Sequence, residues 1–72
     1  MTSRDIMLQA GQELVVVAAP NAGCFLRETG EAAIFPQINL KPGESATVPG
    51  VQHERLFALE DHSDGHAVLH VR

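Results

Sequence analysis

The fold is decided by a short stretch that the chain contains twice. The second copy is Leu40-Lys41-Pro42-Gly43-Glu44-Ser45-Ala46-Thr47-Val48-Pro49, and the first, 32 positions earlier, is Leu8-Gln9-Ala10-Gly11-Gln12-Glu13-Leu14-Val15-Val16-Val17. In each copy a Leu is followed three residues later by a Gly, then by a carboxylate or amide side chain, and then by a run that contains Val. Self-similarity at such a spacing is the sequence signature of repeated supersecondary units.

The repeat continues beyond these two stretches. Phe25 corresponds to Phe57 and Glu28 to Glu60 at the same offset, and after a small insertion residues 30–34 correspond to residues 65–69. Each copy reads as a strand, a Gly turn, a strand, a second turn and another strand. We therefore expect a single domain with an internal two-fold repeat, whose halves are about residues 8–37 and 40–72, preceded by a polar N-terminal arm at residues 1–5.

Turn signals arrive about every eight to twelve residues and separate the segments that favour strands. After a short apolar entry at Ile6–Leu8, the predicted strands are Glu13–Ala19, Cys24–Thr29, Ala32–Phe35, a short connecting strand Ile38–Leu40, Ser45–Val48, Glu54–Glu60 and His66–Arg72. Pro42-Gly43 has the composition of a type II turn, with Pro at the second position and Gly at the third. The sequence thus predicts an all-β fold, a small antiparallel β-sandwich or jelly-roll-like barrel of about six to seven short strands.

The chain is short, so its hydrophobic core must be thin. It has 72 residues with three Phe and no Trp or Tyr, which predicts a core of Val, Leu, Ile and Ala. Domains of this size usually need a disulfide, a metal or neighbouring subunits. Cys24 is the only cysteine, and no Cys/His spacing of structural-zinc type is present. We therefore expect the core to be completed by a homo-oligomer, such as a trimer, or by a larger protein assembly such as a capsid.

The apolar run from Leu14 to Ala19 is the strongest strand signal, because consecutive β-branched Val residues favour the pleated sheet. A continuous apolar run rather than an alternating one predicts cover on both faces, by a second sheet on one side and a subunit on the other. The predicted interface residues are Leu14, Val15, Val16, Val17, Ile34 and Phe35, with the N-terminal arm clasping a neighbour.

Charge and hydropathy argue against two classes of partner. The formal net charge is −4, and the five Lys and Arg residues are scattered, whereas nucleic-acid binding needs clustered cations. The longest apolar run is too short to span a bilayer, so we expect no membrane partner. Ala22-Gly23-Cys24 is similar to the end of a lipoprotein signal, but Pro20 and Asn21 depart from that pattern. We expect no signal peptide, and a cytoplasmic location unless the chain belongs to a virion.

The histidines are the strongest candidates for metal ligands. His62, His66 and His70 are spaced by four, but Ser63-Asp64-Gly65 argues against a helix that would align them. On a strand, His66 and His70 share a face, and His53 could join them from another loop. Our main interpretation is solvated histidines and no metal. The alternative is a metal or small-ligand site formed by His53, His66 and His70.

Other chemistry finds no support in the sequence. Cys24 lies on an apolar strand without a nearby His, and the serines lie in turns or at strand starts without a nucleophile elbow. Glycine-rich phosphate loops are absent from the sequence. We predict no catalytic residue, no cofactor and no enzymatic activity.

The segment from Gly43 to Phe57 resembles the second signature of the cupin family, in which a Gly turn, a strand, a Pro-Gly and a His follow in that order. In metal-binding cupins that His is a ligand, which implies this role for His53. The segment departs from the family pattern because a residue between Pro49 and Gly50 is missing and Phe57 stands at the family's Asn position. The first cupin signature, with its His-x-His, is absent. We interpret the resemblance as a shared jelly-roll arrangement of turns and strands.

The stretches Leu8–Val17 and Leu40–Pro49 are also similar to small β-sandwich proteins that decorate or cement phage capsids and tails. In those proteins apolar strands alternate with Leu-x-x-Gly-Glu turns, and trimers or lattice contacts complete the core. This resemblance implies a non-enzymatic virion structural protein, a decoration or connector subunit. Two alternatives stay open: a minimal cupin-like domain that binds a metal or small ligand, and a small inhibitor of a host protein, for which the acidic chain would suit a basic cleft.

Overall fold

Strands in two antiparallel sheets confirm the predicted all-β sandwich. The computed structural model describes residues 2–72. The strands in chain order are β1 (Thr2–Leu8), β2 (Leu14–Val17), β3 (Cys24–Thr29), β4 (Ile38–Leu40), β5 (Ser45–Val48), β6 (Arg55–Asp61) and β7 (Val68–Val71). The first sheet has the strand order β1-β6-β3-β4, and the second has the order β5-β2-β7.

The core lies between the inner faces of the two sheets and is mainly aliphatic, as the composition predicted. Because side chains alternate between the two faces of a strand, every second residue points inward. The buried inner side chains are Leu8, Cys24, Leu26, Phe57 and Leu59 from the first sheet and Leu14, Val16 and Val48 from the second. Phe57 is the only fully buried aromatic ring among residues 2–72.

The repeated Leu-x-x-Gly motif forms the same hydrogen-bonded turn in both places. Gly11 and Gly43 have φ angles of +88° and +79°, which L-amino acids with a Cβ rarely adopt. In each turn the N–H of the fourth residue donates to the carbonyl oxygen of the first, and the side-chain oxygen of the fourth accepts from the N–H of the first. These residues are Gln9 and Gln12 in one copy and Lys41 and Glu44 in the other. The type II turn predicted at Pro42-Gly43 is therefore confirmed.

The pairings among the first six strands have an internal symmetry. If β1, β2 and β3 are exchanged with β4, β5 and β6, respectively, the same strands are still neighbours in each sheet. Among the strands of residues 2–72, β7 is the one without a counterpart in this exchange. Two backbone hydrogen bonds follow the same exchange: Gly11 N–H donates to the carbonyl oxygen of Val51 at 2.8 Å, and Gly43 N–H donates to that of Ala19 at 2.9 Å. Both the donors and the acceptors are 32 positions apart.

The predicted correspondence between residues of β3 and β6 is wrong. Phe25 and Glu60 are register partners on the outer face of the first sheet, whereas Phe57 and Glu28 point inward. A shift of one residue along a strand exchanges its two faces, so the offset of 32 cannot relate these two strands residue by residue.

Two predicted segments are also corrected. Met1 lies outside the described residues, but Thr2–Asp5 belong to β1 and pair with β6, so they do not form a free arm. Ala32–Phe35 is not a strand but part of the loop after β3, because the Glu28 carboxylate accepts the N–H groups of Ile34 and Phe35. The described residues contain no helix of the length and apolarity that crossing a bilayer requires.

One glycine marks a close approach between strands. A Cβ on Gly23 would lie 2.4 Å from the backbone carbonyl oxygen of Leu40, well inside van der Waals contact. Gly23 also accepts a hydrogen bond from His62 N–H through its own carbonyl oxygen at 3.2 Å. The absence of a side chain therefore lets the start of β3 lie against the end of β4.

Candidate functional site

Two pairs of exposed apolar side chains lie on the opposite outer faces of the sandwich. Met7 of β1 and Leu56 of β6 are register partners on the first sheet and are 51% and 40% exposed. Val17 of β2 and Val68 of β7 are register partners on the second sheet and are 36% and 58% exposed. Directly opposed side chains have Cβ atoms about 4.5–5.5 Å apart. Each pair therefore forms one continuous surface, which we call the Met7–Leu56 patch and the Val17–Val68 patch.

The two rows of the outer sheet face that contain the Val17–Val68 patch have no fixed charge, whereas the Glu13–Arg72 ion pair follows beyond them. The register places Val17 between Ser45 and Val68, and it places Val15 between Thr47 and His70. None of these six side chains is an Asp, Glu, Lys or Arg. Burial of these two rows against a partner would therefore not require desolvation of an ionised carboxylate, ammonium or guanidinium group.

The Met7–Leu56 patch has a different border. Thr29 of β3 continues its row across the sheet, and the next row contains Asp5, Ala58 and Arg27. Asp5 and Arg27 thus flank the central strand with opposite charges. A partner on this face would meet an apolar end and a charged end within the same sheet.

The predicted interface residues separate into buried and accessible ones. Leu14 and Val16 are 0% and 1% exposed in the core, so a partner cannot contact them in the folded chain. Val15 is half-buried and Val17 is exposed on the outer face, and Ile34 and Phe35 lie in the loop after β3. Sequence reasoning missed three members of the two patches, Met7, Leu56 and Val68. The signal that could have found them is the alternation of inward and outward side chains along their strands.

The three histidines of the alternative metal site come from different parts of the fold. His53 lies in the loop before β6, His66 in the loop before β7, and His70 on the outer face of β7. Among residues 2–72, no three His, Cys, Asp or Glu side chains lie close enough together to hold a metal ion. The Nε2 atom of His53 instead lies 3.2 Å from a guanidinium nitrogen of Arg55. The structure therefore does not assemble the ligand set that this alternative requires.

Asp61 is a fully buried carboxylate at the end of β6, and it fixes the loop that leads to β7. Its Oδ1 accepts the N–H of Ser63 at 2.9 Å and the hydroxyl of Ser63. Its Oδ2 accepts the N–H of Ala67 at 3.0 Å and lies 3.5 Å from the guanidinium of Arg4. Arg4 also donates to the carbonyl oxygen of Ala67 at 2.8 Å. The acceptor positions of Asp61 are thus occupied by groups of the protein itself.

These contacts determine the charge state of Asp61. Burial alone would raise its pKa, but the hydrogen bonds from Ser63 and Ala67 and the positive charge of Arg4 outweigh burial and lower the pKa to about 2. The side chain is therefore an ionised structural acceptor at neutral pH. Such a group does not exchange a proton in the range in which general acids and bases operate.

Glu28 plays the same part at the other end of the first sheet. Its side chain is 4% exposed, accepts the N–H groups of Ile34 and Phe35 at 2.8 and 3.1 Å, and pairs with Arg55 at 2.7 Å. The Arg55 guanidinium also lies 5.2 Å from the centre of the Phe35 ring. Burial acts to raise the pKa of Glu28, but its hydrogen bonds and Arg55 lower it on balance. The inner-face carboxylate of β6 that acts in this way is Asp61, not the predicted counterpart Glu60.

Cys24 is the register partner of Asp61 and is 3% exposed. Burial raises the pKa of its thiol, and the Asp61 carboxylate raises it further against the opposing charge of Arg4. Because the thiolate is the reactive species, the Cys24 side chain is an inert part of the core at neutral pH.

Comparison of the chain with protein-family models, with curated proteins and with solved structures finds no match.

Proposed function

We propose that the chain is a non-enzymatic structural subunit that works by burying its two outer faces against neighbouring subunits in an assembly. The observation that carries this proposal is the placement of the Met7–Leu56 patch and the Val17–Val68 patch on opposite faces. Burial of apolar surface is the dominant favourable term in protein association. A subunit with one such patch on each broad side can contact two neighbours at once.

The shape of the molecule fits this arrangement. Its principal extents are 33 × 23 × 17 Å. A contact between the Met7–Leu56 patch of one subunit and the Val17–Val68 patch of the next is heterologous, because it joins two different surfaces. Heterologous contacts build rings or extended arrays. Each patch contains only two exposed apolar side chains, whose full burial would contribute about 1.5–3 kcal/mol per side chain. Single contacts are therefore weak, and the assembly gains strength from repetition.

The specific form that we propose is a virion subunit, a decoration, cement or connector protein. Its support is the similarity of Leu8–Val17 and Leu40–Pro49 to phage decoration proteins, together with the finding that both stretches form the same glycine turn. If this form is correct, an antibody against the chain should label particles that band at virus density when culture fluid is fractionated on a gradient. Label confined to the slowly sedimenting fractions would contradict it.

The burial of the two patches is tested by sedimentation velocity over a range of concentrations. The parent chain should form species larger than a dimer, and Leu56→Thr or Val17→Thr should each remove one class of contact. Both residues lie on central strands and point outward, and Thr keeps a high preference for strands, so neither change should disturb the fold. Ile34→Thr is the comparison variant: Ile34 was predicted as an interface residue and is 73% exposed, but it lies outside both patches, so on this proposal its replacement should leave association unchanged. A double variant that associates like the parent chain would refute the proposal.

A further inference from the structure

We propose that two copies of the chain pair through the free edges of β7, so that their second sheets join into one continuous sheet across a two-fold axis. This inference rests on the proposed function, in which the chain meets other copies of itself. It specifies a contact that neither patch provides, because the contact is made by backbone groups at a sheet edge rather than by side chains on a sheet face.

The hydrogen-bond pattern of the second sheet shows which backbone groups of β7 are free. Glu13 and Arg72 exchange both of their N–H···O=C bonds, at 2.8 and 3.0 Å. Bonded pairs alternate along an antiparallel ladder, so Val68 and His70 also bond to β2. Leu69 and Val71 therefore direct their N–H and C=O groups away from β2, and nothing else among residues 2–72 bonds to these groups.

The other three sheet edges carry features that discourage pairing with another chain. The shortest strand, β4, lies between Pro36 and Pro42, and β5 is followed directly by Pro49. The edge strand β1 carries the inward-pointing charge of Arg4. Short strands, prolines and inward charges are the devices by which natural sheets protect their edges. Residues 68–71 include neither a proline nor a charged side chain, and the charge of Arg72, which follows them, is paired with Glu13.

The core is also open on the β7 side. Leu14 has two register partners that point inward with it, Val48 on β5 and Val71 on β7. Val48 is 2% exposed, whereas Val71 is 40% exposed. An additional strand beside β7 would cover Val71 in the way that the first sheet already covers Val48.

One register satisfies all the free groups. If Leu69 stands opposite Val71 of the second copy, their four backbone groups form two hydrogen bonds, and the two-fold axis generates two more. Inside the sandwich, Val71 then packs against Leu69 of the second copy. His70 stands opposite His70 of the second copy in a non-hydrogen-bonded pair, with Cα atoms about 4.5 Å apart. The two Val17–Val68 patches remain on the same outer face of the joined sheet.

Val71→Pro tests the pairing, because it removes an N–H that the monomer does not use. Each dimer loses two hydrogen bonds of about 1 kcal/mol each, so the dimer dissociation constant should rise about thirty-fold. Val71→Thr, which keeps the N–H, and Thr47→Pro, which removes an edge N–H on β5 instead, are the matched controls and should leave dimerisation unchanged. Sedimentation equilibrium gives the constants, and far-UV circular dichroism verifies the fold of each variant.

His70→Cys tests the register independently of any destabilisation by proline. A non-hydrogen-bonded pair has the Cα separation that a disulfide accepts, so this variant should form a covalent dimer under oxidising conditions. Val68→Cys, on the same strand and face, should not form one, and the native Cys24 is buried. Equal cross-linking of both variants would overturn the register, and a chain that stays monomeric at millimolar concentration would overturn the pairing.

The two proposals fail in different ways. If Val71→Pro leaves the dimer intact while Leu56→Thr and Val17→Thr abolish larger species, the β7 pairing is wrong and burial of the two patches stands. If Val71→Pro abolishes the dimer while the patch variants change nothing, the β7 pairing stands and burial of the two patches is wrong.

Discussion

Replacement of Asp61 by Asn should destabilise the fold by about 3–5 kcal/mol, although the two side chains have nearly the same shape. The carboxylate accepts hydrogen bonds on both oxygens, from Ser63 on one and from Ala67 on the other, and it faces Arg4. An amide offers one oxygen and one NH₂ group. Whichever way it is turned, its NH₂ group faces a donor, so a buried N–H loses its partner.

The magnitude follows from two contributions. The folded chain lowers the pKa of Asp61 from 3.8 to about 2, which corresponds to about 2 kcal/mol of stabilisation of the ionised form. A buried N–H group without a hydrogen-bond partner costs about 1–3 kcal/mol more. A chain of 72 residues has a total stability of about 4–11 kcal/mol. The substitution should therefore remove a large part of the stability of the domain.

The assay is urea unfolding followed by far-UV circular dichroism, because the chain has no Trp or Tyr for fluorescence. At a slope of about 1 kcal/mol per molar urea, the midpoint should fall by about 3 M or more. Glu60→Gln is the matched control, since it makes the same chemical change at the preceding residue on the outer face, and it should change the unfolding free energy by less than about 1 kcal/mol. If Asp61→Asn unfolds within about 1 kcal/mol of that control, the structural role given to Asp61 is refuted.

Three further predictions concern the supports of the fold. Because the pKa of Asp61 is lowered, its contribution is present above the ordinary value of 3.8 and is lost as the pH falls towards 2, so acid titration should narrow the stability gap between the parent chain and Asp61→Asn. Arg55→Met should lower the free energy of unfolding in urea by about 3 kcal/mol, because it leaves the buried carboxylate of Glu28 without its positively charged partner. Limited proteolysis of this variant should then cut within residues 30–37. An unchanged digestion pattern would contradict this. Gly23→Ala should lower the melting temperature by several degrees, because its Cβ would lie 2.4 Å from a backbone oxygen. Gly50→Ala, whose Cβ would have its nearest contact at 3.7 Å, should leave the melting temperature nearly unchanged. Equal effects of the two substitutions would contradict the steric argument.

The sequence-based prediction succeeds where structure is determined locally. The turn at Pro42-Gly43 follows from the fixed φ of Pro and the freedom of Gly, and the strand Cys24–Thr29 was predicted with the bounds that the structure shows. The Val run identified β2, but its continuity hid the alternation that buries Val16 and exposes Val17. Which of two neighbouring Val residues faces the core depends on the sheet packed against them, and that information is not local.

The prediction fails where a buried carboxylate, rather than pairing with a neighbouring strand, decides the local structure. Ala32–Phe35 has the composition of a strand, yet the carboxylate of Glu28 accepts two of its N–H groups. These two groups are therefore not available for hydrogen bonds to a neighbouring strand. The same holds for the loop before β7, in which Asp61 holds Ser63 and Ala67. Neither carboxylate differs in sequence from a solvent-exposed one. The signal is their position near the end of an apolar strand, on the face that the register turns inward.

These two carboxylates bear on how so small a core is stabilised. Length and composition predicted that neighbours would have to complete it, and that expectation treated disulfides and metals as the only internal supports. Asp61 and Glu28 are a third kind, because each accepts two backbone N–H groups from the loop that follows it and faces an arginine of another strand. Stability and assembly should therefore be separable. Asp61→Asn should lower the stability of the isolated subunit, whereas Leu56→Thr should change only its association. If Leu56→Thr instead lowers the unfolding free energy of dilute monomer as much as Asp61→Asn does, the outer face contributes to the fold itself and the separation fails.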